Sequence, residues 1–76
     1  MKDKEFQTCA EIGALVRQLR KAQKVTQAQL AGLANTGIRF VGDLENGKET
    51  CQVGKMLRVL SALGVDMLIR NPYDKE

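Results

Sequence analysis

The sequence contains no histidine and no tryptophan, one proline and only two cysteines. Without histidine it lacks the commonest metal ligand and general base. Cys9 and Cys51 lie far apart and without CxxC spacing, so neither a zinc site nor a disulfide framework is expected. No metal and no cofactor is expected either. The two thiols read as reduced, half-buried groups near helix starts. No cysteine–base pair, glycine-rich phosphate loop or cluster of carboxylates is visible, so the chain is not expected to be an enzyme. Aromatics make up only 4% of the residues, which leaves Leu, Val, Ile, Met and Ala to build the core. No apolar run approaches the ~20 residues of a membrane span. Met1 to Gln7 (MKDKEFQ) is charged rather than apolar, so no signal peptide is expected. A cytoplasmic protein with no membrane partner is the expectation.

What is present suits one small domain. The chain has 76 residues, 43% apolar and 28% charged, with a net charge of +3. That composition supports a modest core rather than disorder. The basic bias permits nucleic-acid binding without establishing it.

The centre of the chain is Thr26 to Lys48, TQAQLAGLANTGIRFVGDLENGK. Thr26 is a good N-cap, and Gln29 three residues on completes the capping-box spacing. Leu30, Leu33 and Ala34 follow at helical intervals and are expected to face inward. Asn35 suits a left-handed helix end. Gly37 opens a second short helix with Val41 and Leu44 inward, and Asn46-Gly47 closes it. Two helices of about two turns joined by a turn of three to four residues fit a helix-turn-helix.

The flanks complete a four-helix reading. Residues 1–7 read as a flexible N-terminal arm, 8–70 as the folded domain and 71–76 as a tail. Thr8 with Glu11 predicts a capping box at the start of a helix running to Gln23. Ile12, Leu15, Val16 and Leu19 form its inward stripe. Arg17, Arg20, Lys21 and Lys24 crowd its C-terminal half, where the helix dipole already favours cations. A last helix is predicted over Thr50 to Leu63, with Val53, Met56, Leu57, Leu60 and Leu63 on one face and Val59 off it. Gly64 ends this helix. Val65 to Arg70 alternates Val65, Met67 and Ile69 against Asp66, Leu68 and Arg70, which predicts a strand that Pro72 stops. No other segment reads as a strand, so pairing with a second copy of the chain is the simplest solution. Val59, Val65, Met67 and Ile69 would then lie in a homodimer interface. A coiled tail packed on the first helix is the other reading of this segment.

Here the residues carry a family likeness. T-Q-x-x-L-A-x-x-A, a variable turn and a short helix ending in L-E-N-G-K resembles the phage-repressor (Cro/C1, Xre) helix-turn-helix family over roughly residues 12–64. Lys48 to Leu68 (KETCQVGKMLRVLSALGVDML) further resembles the HipB-type antitoxins, small repressors whose last helix runs into a short strand. The resemblance implies a mainly α, λ-repressor-like bundle of four helices, with a short C-terminal β-strand pairing across a homodimer. It also implies a structural ion pair between Arg20 and Glu45.

The implied function is a sequence-specific transcriptional repressor that binds double-stranded DNA at a palindromic operator. It would be the antitoxin and autorepressor of a HipA/HipB-like operon with a kinase-like toxin as partner. The second helix of the motif would enter the major groove with Gly37, Ile38, Arg39, Gly42 and Asp43 facing the DNA. Arg39 suits guanine O6 and N7, and Ile38 a thymine methyl. Asp43 can accept from cytosine N4 or restrain Arg39. Thr26 and Gln27 suit phosphate oxygens, and Lys48 adds a further backbone contact. Phe40 has two readings, a core plug or a contact to DNA or a partner. Departures from the family are Asn35 where Gly is usual, Gly37 where Ser or Thr is usual, and Gly42 inside a short helix. Gly42 costs roughly 1 kcal/mol against Ala, which a close approach to DNA or to another helix would explain. Few polar groups remain for base readout, so DNA shape would carry part of the specificity. The alternative function is a protein-interaction module that mainly sequesters a partner protein, with weak or no DNA binding.

Overall fold

The computed structural model describes residues 5–73. They form four helices: α1 (Cys9–Ala22), α2 (Gln27–Leu33), α3 (Ile38–Glu45) and α4 (Val53–Ala62). The first two begin as their sequences predict. The Thr8 hydroxyl accepts from the Glu11 N–H at 3.1 Å, and the Glu11 carboxylate accepts from the Thr8 N–H at 3.0 Å. Thr26 and Gln29 repeat the arrangement at 3.0 and 2.8 Å. Each box satisfies two backbone donors that a helix start otherwise leaves open, worth about 1 kcal/mol per cap. α3 has Gly37 as N-cap and no side-chain cap. Asn35 does adopt the left-handed conformation, at φ 55°. Lys24 does so as well, at φ 58°, in the turn between α1 and α2.

One core holds the bundle together. Val16, Leu30, Val41, Leu44 and Val59 are fully buried. Each such side chain contributes about 1.5–3 kcal/mol relative to exposure. Ala31, Ala34, Leu60 and Leu63 complete the buried set, with Ile12, Leu19, Val25, Phe40, Met56 and Val65 packed against it. Phe40 is thus a half-buried core plug, and the Lys55 ammonium stands 5.8 Å from its ring centre.

Several expected orientations are corrected. Leu33 is 68% exposed, while Ala31 takes the buried place on α2. Leu15 is half-buried outside the core and lines a shallow hollow with Phe6 and Ala14. On α4 the buried arc is rotated by about one residue: Val53 and Leu57 are 62% and 43% exposed, whereas Val59 and Leu60 are buried. Val59 therefore belongs to the core of a single chain, and no surface of it is left for a dimer interface. Its neighbours explain this, because α4 packs across α2 and brings residues 59, 60 and 63 against the core.

The segment after α4 differs from expectation too. Gly64 turns the chain at φ 82°, and the Val65 N–H donates to the Leu60 carbonyl at 2.9 Å, which closes the helix. Residues 65–70 then form no strand. A strand needs a neighbouring ladder, and among the described residues there is none for it to join. Leu68 and Ile69 are 82% and 88% exposed. Most of the expected N-terminal arm, residues 1–4, lies outside the described residues. Gln7 is tied to α1, since its N–H donates to the Glu11 carboxylate at 2.7 Å.

Candidate nucleic-acid interface

The relation of α2 to α3 is set by three devices. The Thr36 N–H donates to the Ala31 carbonyl at 2.9 Å, closing the end of α2 around left-handed Asn35. Arg58 reaches across from α4 and donates to the carbonyls of Ala34 at 3.0 Å and Asn35 at 3.3 Å. It thereby satisfies carbonyls that a helix end leaves without partners. Val41 and Leu44 then bury one side of α3 against the core, which turns its opposite side outward.

The far end of α3 is pinned by an ion pair. Arg20 Nε and Nη2 donate to the two Glu45 carboxylate oxygens at 2.6 and 3.1 Å. This is the fork geometry that makes arginine–carboxylate pairs strong. Arg20 Nη1 also donates to the Val25 carbonyl at 3.0 Å, and Gln27 Nε2 donates to Glu45 Oε1 at 3.1 Å. The Glu45 side chain is only 4% exposed and that of Arg20 12%. Burial pushes the Glu45 carboxyl up, but the hydrogen bonds from Arg20 and Gln27, with the charges of Arg20 and Arg17, hold it below its ordinary value. The pair expected between these two residues is therefore present, and it also gathers in the start of α2.

Gly13 makes this junction possible. A Cβ there would collide with the carbonyl oxygens of Leu44 and Glu45, the latter at 2.9 Å. Only glycine lets α1 approach the end of α3 this closely. Sequence reasoning passed over Gly13, although a glycine inside an apolar helical stripe is a usable packing signal. It also missed Arg58 and the bond from Gln23 Nε2 to the Leu63 carbonyl at 2.9 Å. Both span distant segments and leave no mark in local spacing.

The residues expected to face DNA are divided as follows. Gly37, Ile38 and Arg39 are exposed at the start of α3, and Ile38 shows 54% of its surface. Gly42 and Asp43 are half-buried on the same helix. Nothing crowds Gly42: a Cβ there would meet only the Gln27 amide, at an ordinary 4.0 Å. Helix crowding is thus not the reason for this glycine. Asp43 faces Lys48, with 3.5 Å between Oδ2 and Nζ, rather than restraining Arg39. Both side chains reach solvent, so this pair is worth under about 1 kcal/mol. Thr26 is exposed, but its hydroxyl already accepts from Gln29, which leaves it the hydroxyl proton to donate. Gln27 keeps its carbonyl oxygen and one N–H beyond the bond to Glu45. Thr26, Gln27 and the outer side of α3 thus form one surface around Gly42. Cys9 and Cys51 are free and half-buried near the starts of α1 and α4. No group of metal-ligating side chains exists among the described residues. No helix among them is long and apolar enough to cross a membrane.

Two short helices at a fixed turn, the second presenting an open outer side beside the start of the first, define the DNA-binding regulators of the helix-turn-helix class. The model of the helix-turn-helix domain matches residues 11–68, and the chain belongs to that family. It is 50% identical over 72 residues, 95% of each chain, to y4mF of Sinorhizobium fredii, described as an uncharacterized HTH-type transcriptional regulator. Its fold is similar to a chain of the HipA–HipB–O2–O3 complex, with a TM-score of 0.82 at 14% identity over 92% of this chain and 99% of that one. It is also similar to the restriction-modification controller protein C.AhdI of Aeromonas hydrophila, with a TM-score of 0.68 at 28% identity over 76% and 84% of the two chains.

Proposed function

We propose that this DNA-binding regulator is a homodimeric, cytoplasmic repressor without enzymatic activity, acting on its own promoter at a palindromic operator. In this reading it is the antitoxin of a HipA/HipB-like operon, and its protein partner is a kinase-like toxin. The observation that carries the DNA-binding part is the outer side of α3. Gly37, Ile38 and Arg39 stand free at its start, while Arg20, Glu45 and Arg58 fix the helix that bears them. A recognition helix contacts base edges through its N-terminal residues and must be rigidly placed to do so. The fold likeness to a chain of the HipA–HipB complex supports the antitoxin part.

Exposed Met67, Leu68 and Ile69 support the dimer, because a run of exposed apolar residues marks a surface that a partner can cover. One helix-turn-helix unit reads only a few base pairs, and two half-sites one DNA turn apart supply the rest. Footprinting on the chain's own promoter tests the reading, with protection of two half-sites expected. Arg39→Ala is expected to cost about 1–3 kcal/mol of operator affinity and to relax preference at one base pair per half-site. Unaltered affinity in a mobility-shift titration would remove Arg39 as a base reader. Partner binding without any protected DNA would favour the sequestering module instead.

A further inference from the structure

Among the described residues, one cation beside the α1–α3 junction, Arg17, makes no hydrogen bond and no ion pair. Arg17 lies four residues after Gly13 and three before Arg20, on the side of α1 that meets the end of α3. Gly13 abuts the carbonyls of Leu44 and Glu45, and Arg20 holds the Glu45 carboxylate. Both neighbours of Arg17 along this stripe are thus engaged with Glu45, whereas Arg17 itself is exposed. It makes no hydrogen bond or ion pair among the described residues. Glu45 cannot take it as a partner: its oxygens already accept from Arg20 Nε, Arg20 Nη2 and Gln27 Nε2, and the side chain is nearly sealed from solvent. The charge of Arg17 nevertheless reaches that carboxylate. The third member of the cluster, Gln27, lies alongside Gly42 of α3. Gly42 and Gln27 are thus adjacent, Gln27 is bonded to Glu45, and Arg17 stands on the side of α1 that meets this end of α3.

We propose that Arg17 is a further DNA contact, holding a backbone phosphate of duplex DNA, so that the interface runs from the outer side of α3 past Gln27 onto α1. The inference rests on the DNA-binding reading above. A guanidinium with five donors and no hydrogen-bond acceptor among the described residues matches a phosphate in charge and in fork geometry. Its contribution is independent of sequence and acts through release of counterions. The bland role for the same charge is to screen Glu45 and the C-terminal end of α3.

Salt dependence separates the two roles. A 30-base-pair duplex of mixed sequence, labelled with a fluorophore, is titrated with wild type, Arg17→Ala and Arg17→Lys at several salt concentrations. Arg17→Ala is expected to reduce the slope of log affinity against log salt by about 1 per bound chain, about 2 for a dimer, and Arg17→Lys to restore it. Raising salt fourfold then weakens wild type more than the alanine variant, by about fourfold per bound chain and roughly twelvefold for a dimer. Partial unfolding lowers the active fraction without changing the slope, so a merely structural role would not produce this result. A wild-type slope kept by Arg17→Ala overturns this inference alone. A wild-type chain with no salt-dependent duplex affinity overturns the DNA-binding reading together with it.

Discussion

The α1–α3 junction and the segment after Gly64 treat their exposed chemistry in opposite ways. At the junction a buried carboxylate is fully matched by donors from two other elements, and a missing side chain at Gly13 brings the backbones together. The requirements of that carboxylate are met inside one chain. After Gly64 the reverse holds: Met67, Leu68 and Ile69 are exposed, and Val53 and Leu57 add uncovered apolar surface on α4. The buried part of the first region needs nothing from outside and fixes the fold. The second leaves apolar surface uncovered in a single chain, and on the proposed reading a second copy covers it and brings two recognition helices together.

Substitutions at the junction should therefore unfold the chain, and substitutions after Gly64 should leave it folded. Glu45→Gln has the largest expected effect. It leaves the Arg20 guanidinium nearly buried without a counter-charge, at a cost of roughly 3 kcal/mol in urea melts. An unchanged midpoint would mean the junction is no lock. The same carboxylate predicts an acid limb. Its folded pKa is depressed, so its contribution is fully present above the unfolded value of about 4.3 and is lost as pH falls through the folded one. Wild type should lose more stability than Glu45→Gln between about pH 5 and pH 3. Parallel pH profiles would contradict this.

Gly13→Ala comes next. The added methyl group forces α1 away from the end of α3, costing about 1–3 kcal/mol by overpacking. A neutral result would show that the two helices slide apart freely. The smallest effect is expected from Leu68→Ser with Ile69→Ser. At dilute concentrations, where single chains dominate, urea stability should change by less than about 0.5 kcal/mol. A larger loss would show that these side chains serve the chain's own core.

This contrast also explains what the sequence made legible. Thr8–Glu11 and Thr26–Gln29 are local boxes, and three-residue spacing determines them wholly. Val41 and Leu44 were readable because they stand three residues apart between the Gly37 and Asn46-Gly47 signals that bound α3. Leu33 and Val59 were misjudged because α2 and α4 carry apolar residues over more than one arc. On α4 the set 53, 56, 57 and 60 is as periodic as 56, 59, 60 and 63. Only packing against α2 selects the second. The Arg20–Glu45 pair was visible through family likeness, since the two residues are far apart in sequence. Arg58 and Gln23, which tie α4 to the turn after α2 and to α1, were visible through neither.

The most direct test of the account is sedimentation equilibrium on the full chain and on a chain ending at Asp66. The shorter chain keeps Val65, whose N–H closes α4 and whose side chain packs on the core. The full chain should sediment as a dimer at micromolar concentration. The shortened chain should sediment as a folded monomer, with a helical signal like that of the full chain. A shortened chain that remains dimeric would contradict the account and move the interface to the exposed side of α4.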